Sequence, residues 1–305
     1  MAVALSTSWN AYRFHEAAGL LFEIKQLGFK AIELSFNLTP KLSEGLAQTA
    51  AGAGIDIQSV HNYCPIPDGL TPAVALPDCY SLSALDEDER ARAVKYTKAT
   101  IANAAKIGAR AVVLHCGRVG VRDSTRALIN LYNQGASQQA EFARLKEEMI
   151  AHRKMRSPEF LKQVLTSLEE LNLLAKQQGV TLGIETRFYH CEIPDISEIG
   201  IILDKFPASQ IGYWHDTGHA QLMENLGFFR HQDFLELYQD RLVGVHLHDI
   251  AGCQDHLAPA TGKFDFNLLK PYIKKSTLKV IEAHAPATAQ ELIKSREFIA
   301  QLFDS

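Results

Sequence analysis

The chain has 305 residues, with 31 Lys and Arg against 35 Asp and Glu and a formal net charge of -4. This near balance provides no overall positive field that would attract nucleic acid or an anionic membrane. No apolar stretch reaches the roughly 18 residues of a membrane-spanning helix, and the N-terminus lacks the charged region of a signal peptide. We therefore expect a cytoplasmic protein. Its five cysteines are scattered and form no Cys-x-x-Cys pair, which argues against a disulfide framework.

Short apolar runs that are typical of β-strands alternate with amphipathic helical segments along the whole chain. In chain order, the predicted strands span residues 2–8, 31–36, 55–61, 111–115, 180–187, 211–216, 242–249 and 278–284. The helices between them have recognisable ends, because Asp86 and Thr288 are suited to cap a helix start and Gly28, Gly108 and Gly179 to follow a helix end. Eight strand-then-helix rounds without a linker predict a single α/β domain over residues 1–305, a closed (β/α)8 TIM barrel. The alternative, a doubly wound nucleotide-binding sheet, would need a Gly-x-Gly-x-x-Gly turn after the first strand, and none occurs.

Two connections are unusually long. Residues 62–85 contain four prolines and are predicted to form a stiff loop. Residues 118–156 are predicted to be a helical insertion after the fourth strand, with helical pieces at 126–132 and 138–154, before a separate helix that starts at Ser157-Pro158. Both connections leave the C-terminal ends of strands, where a barrel of this type keeps its active site.

Alternation along the strands predicts which side chains enter the barrel, because the outward face must be apolar to pack against helices. The acidic, basic and imidazole side chains on the predicted inward face are Glu33, His61, His115, Glu185, Arg187, Asp216, His246, His248, Glu282 and His284. The turn Thr217-Gly218 can bring His219 back to the same place. Packing of the barrel interior does not require a cluster of acidic and imidazole side chains. The oxygen and nitrogen atoms of this cluster are suitable ligands for a divalent ion. A metal site is therefore predicted at this end of the barrel.

Four segments resemble motifs of the xylose-isomerase-like TIM barrel superfamily, which includes sugar and sugar-phosphate isomerases and epimerases and the endonuclease IV type of nuclease. The segments are Ile184-Glu185-Thr186-Arg187, Trp214-His215-Asp216-Thr217-Gly218-His219, His246-Leu247-His248-Asp249 and Ile281-Glu282. The resemblance implies that Glu185, Asp216, His246 and Glu282 hold one divalent ion, which would be manganese, cobalt, zinc or magnesium. It also implies that His219 and Arg187 face the substrate.

The nuclease branch of the superfamily offers further matches and one departure. His61, His115 and His219 match additional zinc ligands of that branch, which implies a second ion. However, the branch has Asp-x-His after the seventh strand, whereas this chain places Gln254 at the first position and Asp255 beside it. The epimerase branch commonly has an arginine six residues after the metal-binding histidine of that strand, and here the residue is Gly252.

These residues predict a metal-dependent isomerase or epimerase acting on a small-molecule sugar or sugar phosphate. Glu185 and Glu282 would be both ligands and proton carriers, working through a metal-stabilised enediolate. Trp214 would supply an apolar wall for the substrate. The insertion carries eight basic and four acidic side chains, so Arg118 and Arg122, nearest its stem, would bind an anionic group of the substrate.

The sequence leaves open both the role of the insertion and several alternative functions. The insertion would be either a lid over the barrel or a contact in a homo-oligomer. The alternative functions are a zinc-dependent phosphoesterase of the endonuclease IV type, a polyol dehydratase on the same scaffold, and a non-catalytic barrel that binds a metal or metabolite. A nucleic-acid partner is not favoured, because the phosphoesterase acting on DNA would need a basic binding face.

Overall fold

The computed structural model describes residues 2–304, the last of them by its backbone alone. Eight parallel strands form a closed barrel, in which each strand pairs with its neighbour along the chain and the last pairs with the first. The barrel strands are β1 Ala4–Ser6, β2 Ala31–Leu34, β3 Asp56–His61, β4 Ala111–Leu114, β5 Thr181–Glu185, β6 Ile211–Asp216, β7 Leu242–Leu247 and β10 Leu278–Ile281. All eight predicted strands and the closed α/β barrel are thus confirmed.

The helices follow the strands and pack on the outside of the barrel. They are α1 Ala17–Gln26, α2 Pro40–Thr49, α3 Glu87–Ile107, α4 Thr125–Asn133, α5 Ala140–Gln178, α6 Ile196–Lys205, α7 Thr217–Asn225, α8 His231–Tyr238 and α9 Ala289–Asp304. The predicted caps are present. Asp86 accepts a hydrogen bond from the backbone N–H of Glu89 at 2.8 Å, and Gly108 and Gly179 follow their helices with positive φ angles of 76° and 67°. Over residues 2–304, no helix has the length and apolar character needed to cross a bilayer.

The predicted break between two helices at Ser157-Pro158 is wrong. Helix α5 runs continuously through Pro158, so the insertion passes without interruption into the helix that packs against the barrel. Pro158 is exposed, and water can therefore bind the carbonyl that loses its helical hydrogen bond. On either side of it, Arg153 and Phe160 are buried. Packing on both sides of the proline stabilises a helix that local preference would interrupt.

Trp214 fills the inside of the barrel instead of bordering a substrate. Its side chain has no exposed surface and packs against Gly183 on β5 and Gly244 on β7. A Cβ atom at Gly183 would lie 2.8 Å from the indole ring, and one at Gly244 would lie 2.3 Å from it. The two glycines therefore create the space for the ring. The prediction that Trp214 forms a wall of the substrate site is corrected, because it lies below that site.

An antiparallel hairpin that was not predicted follows β7. Its strands are β8 Asp249–Ala251 and β9 Gln254–Leu257. The hairpin folds back over the barrel, so that the backbone N–H of His256 donates to Nδ1 of His248 at 2.8 Å. Asp255 and His256 are thereby placed beside the inward-facing residues of the neighbouring strands.

Candidate metal centre and active site

Four side chains converge at the C-terminal end of the barrel. They come from the ends of three neighbouring strands and from the residue after β10, and they are Glu185, Asp216, His246 and Glu282. Each offers one ligand atom, and these atoms all lie within 4.8 Å of one another. Nδ1 of His246 is 2.6 Å from Glu185, 2.9 Å from Glu282 and 3.8 Å from Asp216. All four residues are buried, so the structure brings together the complete ligand set that the resemblance implies.

Glu33 fixes the orientation of the His246 ring. Its carboxylate lies 3.0 Å from Nε2 of His246 and accepts a hydrogen bond from Ser59 at 2.7 Å. With Nε2 held by this carboxylate, Nδ1 points at the other three acidic groups. A metal-binding histidine is usually held in this manner, by a carboxylate on the nitrogen that does not bind the ion.

The charges at this centre fit a divalent cation. Burial alone would lower the pKa of His246, but Glu282, Glu33 and Glu185 raise it well above its ordinary value. Burial would raise the pKa of Glu282, but the charge and hydrogen bond of His246 lower it well below the ordinary range. Buried carboxylates at this density need a positive partner, and three carboxylates with one imidazole are a donor set that zinc, manganese and cobalt accept.

The turn from β6 into α7 places Asp216 and His219 side by side. Asp216 is the N-cap of α7, and its Oδ1 accepts the backbone N–H of His219 at 2.7 Å. Nδ1 of His219 lies 3.0 Å from the carbonyl oxygen of Thr186, to which it donates, so Nε2 is left to act as an acceptor. Because His219 borders the cavity described below, this nitrogen is available to a substrate hydroxyl or to an ion.

His248 links Asp216 to the hairpin that follows β7. Its Nε2 lies 2.9 Å from Oδ1 of Asp216, and its Nδ1 accepts the backbone N–H of His256. Both ring nitrogens are therefore engaged. Near it, Asp255 lies 2.7 Å from Nδ1 of His256 and 3.9 Å from Nε2 of His219. Asp255 is thus close to both histidines, although it stands one residue after the position that carries the carboxylate in the nuclease branch.

The second oxygen of Glu185 is held by a separate group of residues. His115 lies 2.7 Å from it through Nε2, and Nε2 of His61 is 3.7 Å away. Arg187 donates to the same oxygen at 3.1 Å. Burial and the charge of Arg187 would lower the pKa of His115, but Asp78 and Glu185 raise it to about 9.

Two residues of this group, Asp78 and Glu192, are not indicated by any pattern in the sequence. Asp78, in the long loop after β3, lies 3.2 Å from Nδ1 of His115, and Glu192 accepts a hydrogen bond from Arg187 at 3.1 Å. The four prolines marked the loop as stiff, but no periodic pattern assigns an inward direction to a loop residue. Asp78 could have been found only by testing each acidic residue of that loop as a partner of the predicted histidines.

An open cavity of about 650 Å³ borders this centre and is lined by Glu185 and Glu282 of the four converging groups. Its wall includes Phe188, Arg118 and, from helix α4, Arg126 and Ile129. Arg122 is exposed and does not border the cavity. Of the two arginines predicted to bind the substrate, the structure thus brings Arg118 to the cavity and leaves Arg122 outside it.

The sequence model of the xylose isomerase-like TIM barrel family matches residues 21–302, so the chain belongs to that family. Among curated proteins, the uncharacterized protein y4fM of Sinorhizobium fredii is 22% identical over 263 residues, which cover 81% of this chain and 73% of that protein.

Several solved structures share the fold over nearly the whole chain. A D-tagatose 3-epimerase-like protein has 19% identity and a TM-score of 0.68, covering 99% of this chain and 97% of that one. L-ribulose 3-epimerase has 18% identity and a TM-score of 0.68, with coverages of 100% and 95%. The IOLI protein, whose structure contains a zinc atom, has 14% identity and a TM-score of 0.67, with coverages of 99% and 98%. At these identities the likeness establishes the fold, and the chemistry depends on the residues of this chain.

Proposed function

We propose that the protein is a divalent-metal-dependent isomerase or epimerase that moves a proton next to the carbonyl group of a small sugar or sugar phosphate. The observation that carries this proposal is the convergence of four ligand atoms within 4.8 Å of one another. Two of these four residues, Glu185 and Glu282, line a cavity of about 650 Å³, which is large enough for a monosaccharide.

Glu185, Asp216, His246 and Glu282 would hold the ion. A bound divalent ion would polarise the carbonyl oxygen and the adjacent hydroxyl of the substrate, which makes the neighbouring C–H proton more acidic. Within the protein, Glu33 keeps Nδ1 of His246 turned toward the centre. The ligand set contains no thiolate, so manganese, cobalt, zinc and magnesium all remain candidates.

Glu185 and Glu282 are the proposed proton carriers. They come from β5 and from the end of β10, which are separated in the barrel by β6 and β7, so they reach the substrate from different directions. Glu185 is held by His115 and Arg187. Glu282, which has fewer donors around it, is the group we assign to removing the carbon-bound proton. Delivery of a different proton by a protonated Glu185 to the opposite face would give epimerisation, after which exchange with solvent restores both carboxyl groups. Transfer of the same proton by Glu282 to the neighbouring carbon would give isomerisation.

The other polar groups around the cavity would position the substrate. His219 offers Nε2 to a hydroxyl group, and Arg187 offers a guanidinium next to Glu185. Phe188 provides an apolar face. Arg118 also borders the cavity and lies 3.8 Å from the Asp78 carboxylate, and it would bind a phosphate or another anionic group of the substrate.

A proton-exchange screen tests this function. The protein is loaded in turn with each candidate metal ion and incubated with ketoses, aldoses and their phosphates in deuterated water, and the products are followed by NMR. We expect deuterium at the carbon next to the carbonyl together with an epimer or isomer. Loss of water from the substrate would indicate a dehydratase. A protein that binds no metal and exchanges no proton in any substrate would contradict the proposal.

A phosphoesterase of the endonuclease IV type is the second candidate. The observation in its favour is that His61 and His115 both face Glu185, while Asp255 lies close to His219 and His256. These groups could hold additional ions. Release of phosphate or cleavage of a diester without proton exchange would favour this candidate, and the number of bound ions separates the two.

A further inference from the structure

We infer that Arg187 occupies, with its guanidinium group, the position of a second metal ion, and that the protein consequently binds a single ion at its centre. The inference rests on the proposed function for the first ion. It goes further by excluding the second ion, which the resemblance to the nuclease branch implies. It is carried by the contacts around one atom, Oε2 of Glu185.

Two histidines face this oxygen in the orientation of metal ligands. Nδ1 of His61 lies 3.0 Å from the carbonyl oxygen of Asn62, and Nδ1 of His115 lies 3.2 Å from the Asp78 carboxylate. With Nδ1 of each ring directed at its own acceptor, Nε2 is the nitrogen that an ion at this oxygen would bind after it loses its proton. The two Nε2 atoms lie 3.7 Å and 2.7 Å from Oε2 of Glu185. A carboxylate with two imidazoles, one of them supported by a second carboxylate, has the composition of a zinc site.

A cationic group is already bound to that oxygen. Nη1 of Arg187 donates to Oε2 of Glu185 at 3.1 Å. Nη2 of Arg187 donates to Glu192 at 3.1 Å and lies 3.5 Å from Asp78. The Arg187 side chain is buried, since the residue is only 5% exposed. Its guanidinium group is held by the carboxylates of Glu185, Glu192 and Asp78.

This arrangement opposes the binding of a second cation. An ion bound to Oε2 at about 2.2 Å would lie within about 5 Å of Nη1. The guanidinium keeps its charge at every accessible pH, and the repulsion would act in a buried, weakly screened environment. A movement of Arg187 away from the ion would reduce this repulsion, but it would be unfavourable because Glu192 would lose its buried cationic partner.

A centre with one ion and one fixed guanidinium favours proton transfer over the hydrolysis of phosphate esters. Two-metal hydrolysis places its ions roughly 3.5–4 Å apart, so that they act on the attacking and the leaving oxygen. In this protein the second position is taken by a group that cannot bind a water as an ion does. Arg187 can instead donate hydrogen bonds to an oxygen of the substrate.

Metal counting in matched variants tests the inference. Each protein is stripped with a chelator, saturated with Zn²⁺, freed of excess ion by gel filtration and analysed by mass spectrometry. We expect one ion in the wild type, in Arg187→Lys, which keeps the charge, and in Arg126→Ala, which removes a cavity arginine that does not contact Glu185. We expect two ions in Arg187→Met. The double variant Arg187→Met/His115→Ala should return to one.

The same series run with Co²⁺ gives an independent readout, because the absorption spectrum of a second cobalt site with two histidine ligands should appear only in Arg187→Met. Two stoichiometric ions in the wild type would overturn the inference while leaving the proposed function intact. A folded Arg187→Met protein that still holds one ion would also overturn it, since the guanidinium would then not be the excluding group. A wild type that holds no ion would remove the inference and the proposed function together.

Discussion

Nε2 of His246 on β7 lies 3.0 Å from the carboxylate of Glu33 on β2, although β1 and β10 separate these two strands in the barrel. The contact therefore crosses the inside of the barrel. It leaves Nδ1 of His246 as the nitrogen that faces Glu185, Asp216 and Glu282.

The first prediction concerns this contact. Glu33→Gln should weaken metal binding by about tenfold to a hundredfold, because the neutral amide orients the ring less firmly and makes Nδ1 a poorer donor. A competition titration against a chelating dye measures the affinity. Glu236→Gln, an exposed carboxylate on α8, is the matched control and should bind the ion like the wild type. An unchanged affinity in Glu33→Gln would show that the His246 ring is held by other contacts.

The second prediction concerns the proton carriers. Glu282→Gln and Glu185→Gln should each reduce turnover by about a hundredfold or more while the fold is retained, since an amide fills the same space but cannot accept the proton. Both residues also belong to the ligand set, so the rate is measured at saturating metal and the bound ion is quantified in the same samples. Circular dichroism checks the fold. A metal-loaded variant that retains more than roughly a tenth of the wild-type rate would exclude that residue as the proton carrier.

The third prediction uses the two arginines that the structure separates. Arg118→Ala should weaken the binding of a phosphorylated substrate by about tenfold to a hundredfold, the usual effect of losing a charge-assisted hydrogen bond. The unphosphorylated parent sugar should be affected little. Arg122→Ala is the matched control, because Arg122 is exposed and lies outside the cavity wall.

The comparison consists of KM values for both substrates with the two variants. If Arg118→Ala weakens the two substrates equally, Arg118 does not bind the phosphate. If Arg122→Ala alone has an effect, the insertion reaches the substrate in a conformation that differs from this one.

The fourth prediction concerns the packing of the barrel interior. Gly244→Ala should destabilise the protein by about 1–3 kcal/mol, because the new methyl group would meet the fully buried Trp214 ring at 2.3 Å. Gly52→Ala, for which the nearest atom would be 3.7 Å away, should change stability little. Chemical denaturation followed by fluorescence measures both variants. Equal stability of the two would mean that the ring can shift within the barrel.

The sequence alone determined the architecture and the four converging residues. Strand alternation placed Glu185, Asp216, His246 and Glu282 on the inward face, and parallel strands bring their C-terminal ends to the same side of a barrel. These two geometric rules, joined to the resemblance, were sufficient for the ligand set because each of its members lies at or just beyond the end of a strand.

Only the tertiary structure decided how deep the Trp214 ring lies in the barrel, which loop residue contacts His115, and whether helix α5 continues through Pro158. Alternation gave Trp214 and Asp216 the same inward face, but it could not show that the indole lies one layer deeper, in the space left by glycines on two other strands. It could not bring Asp78 to His115, since loop residues follow no period. Local preference at Pro158 predicts a helix start, because it carries no information on the buried side chains that stabilise α5 on both sides. Each of these outcomes depends on contacts between residues far apart in the chain, for which local sequence patterns have no signal.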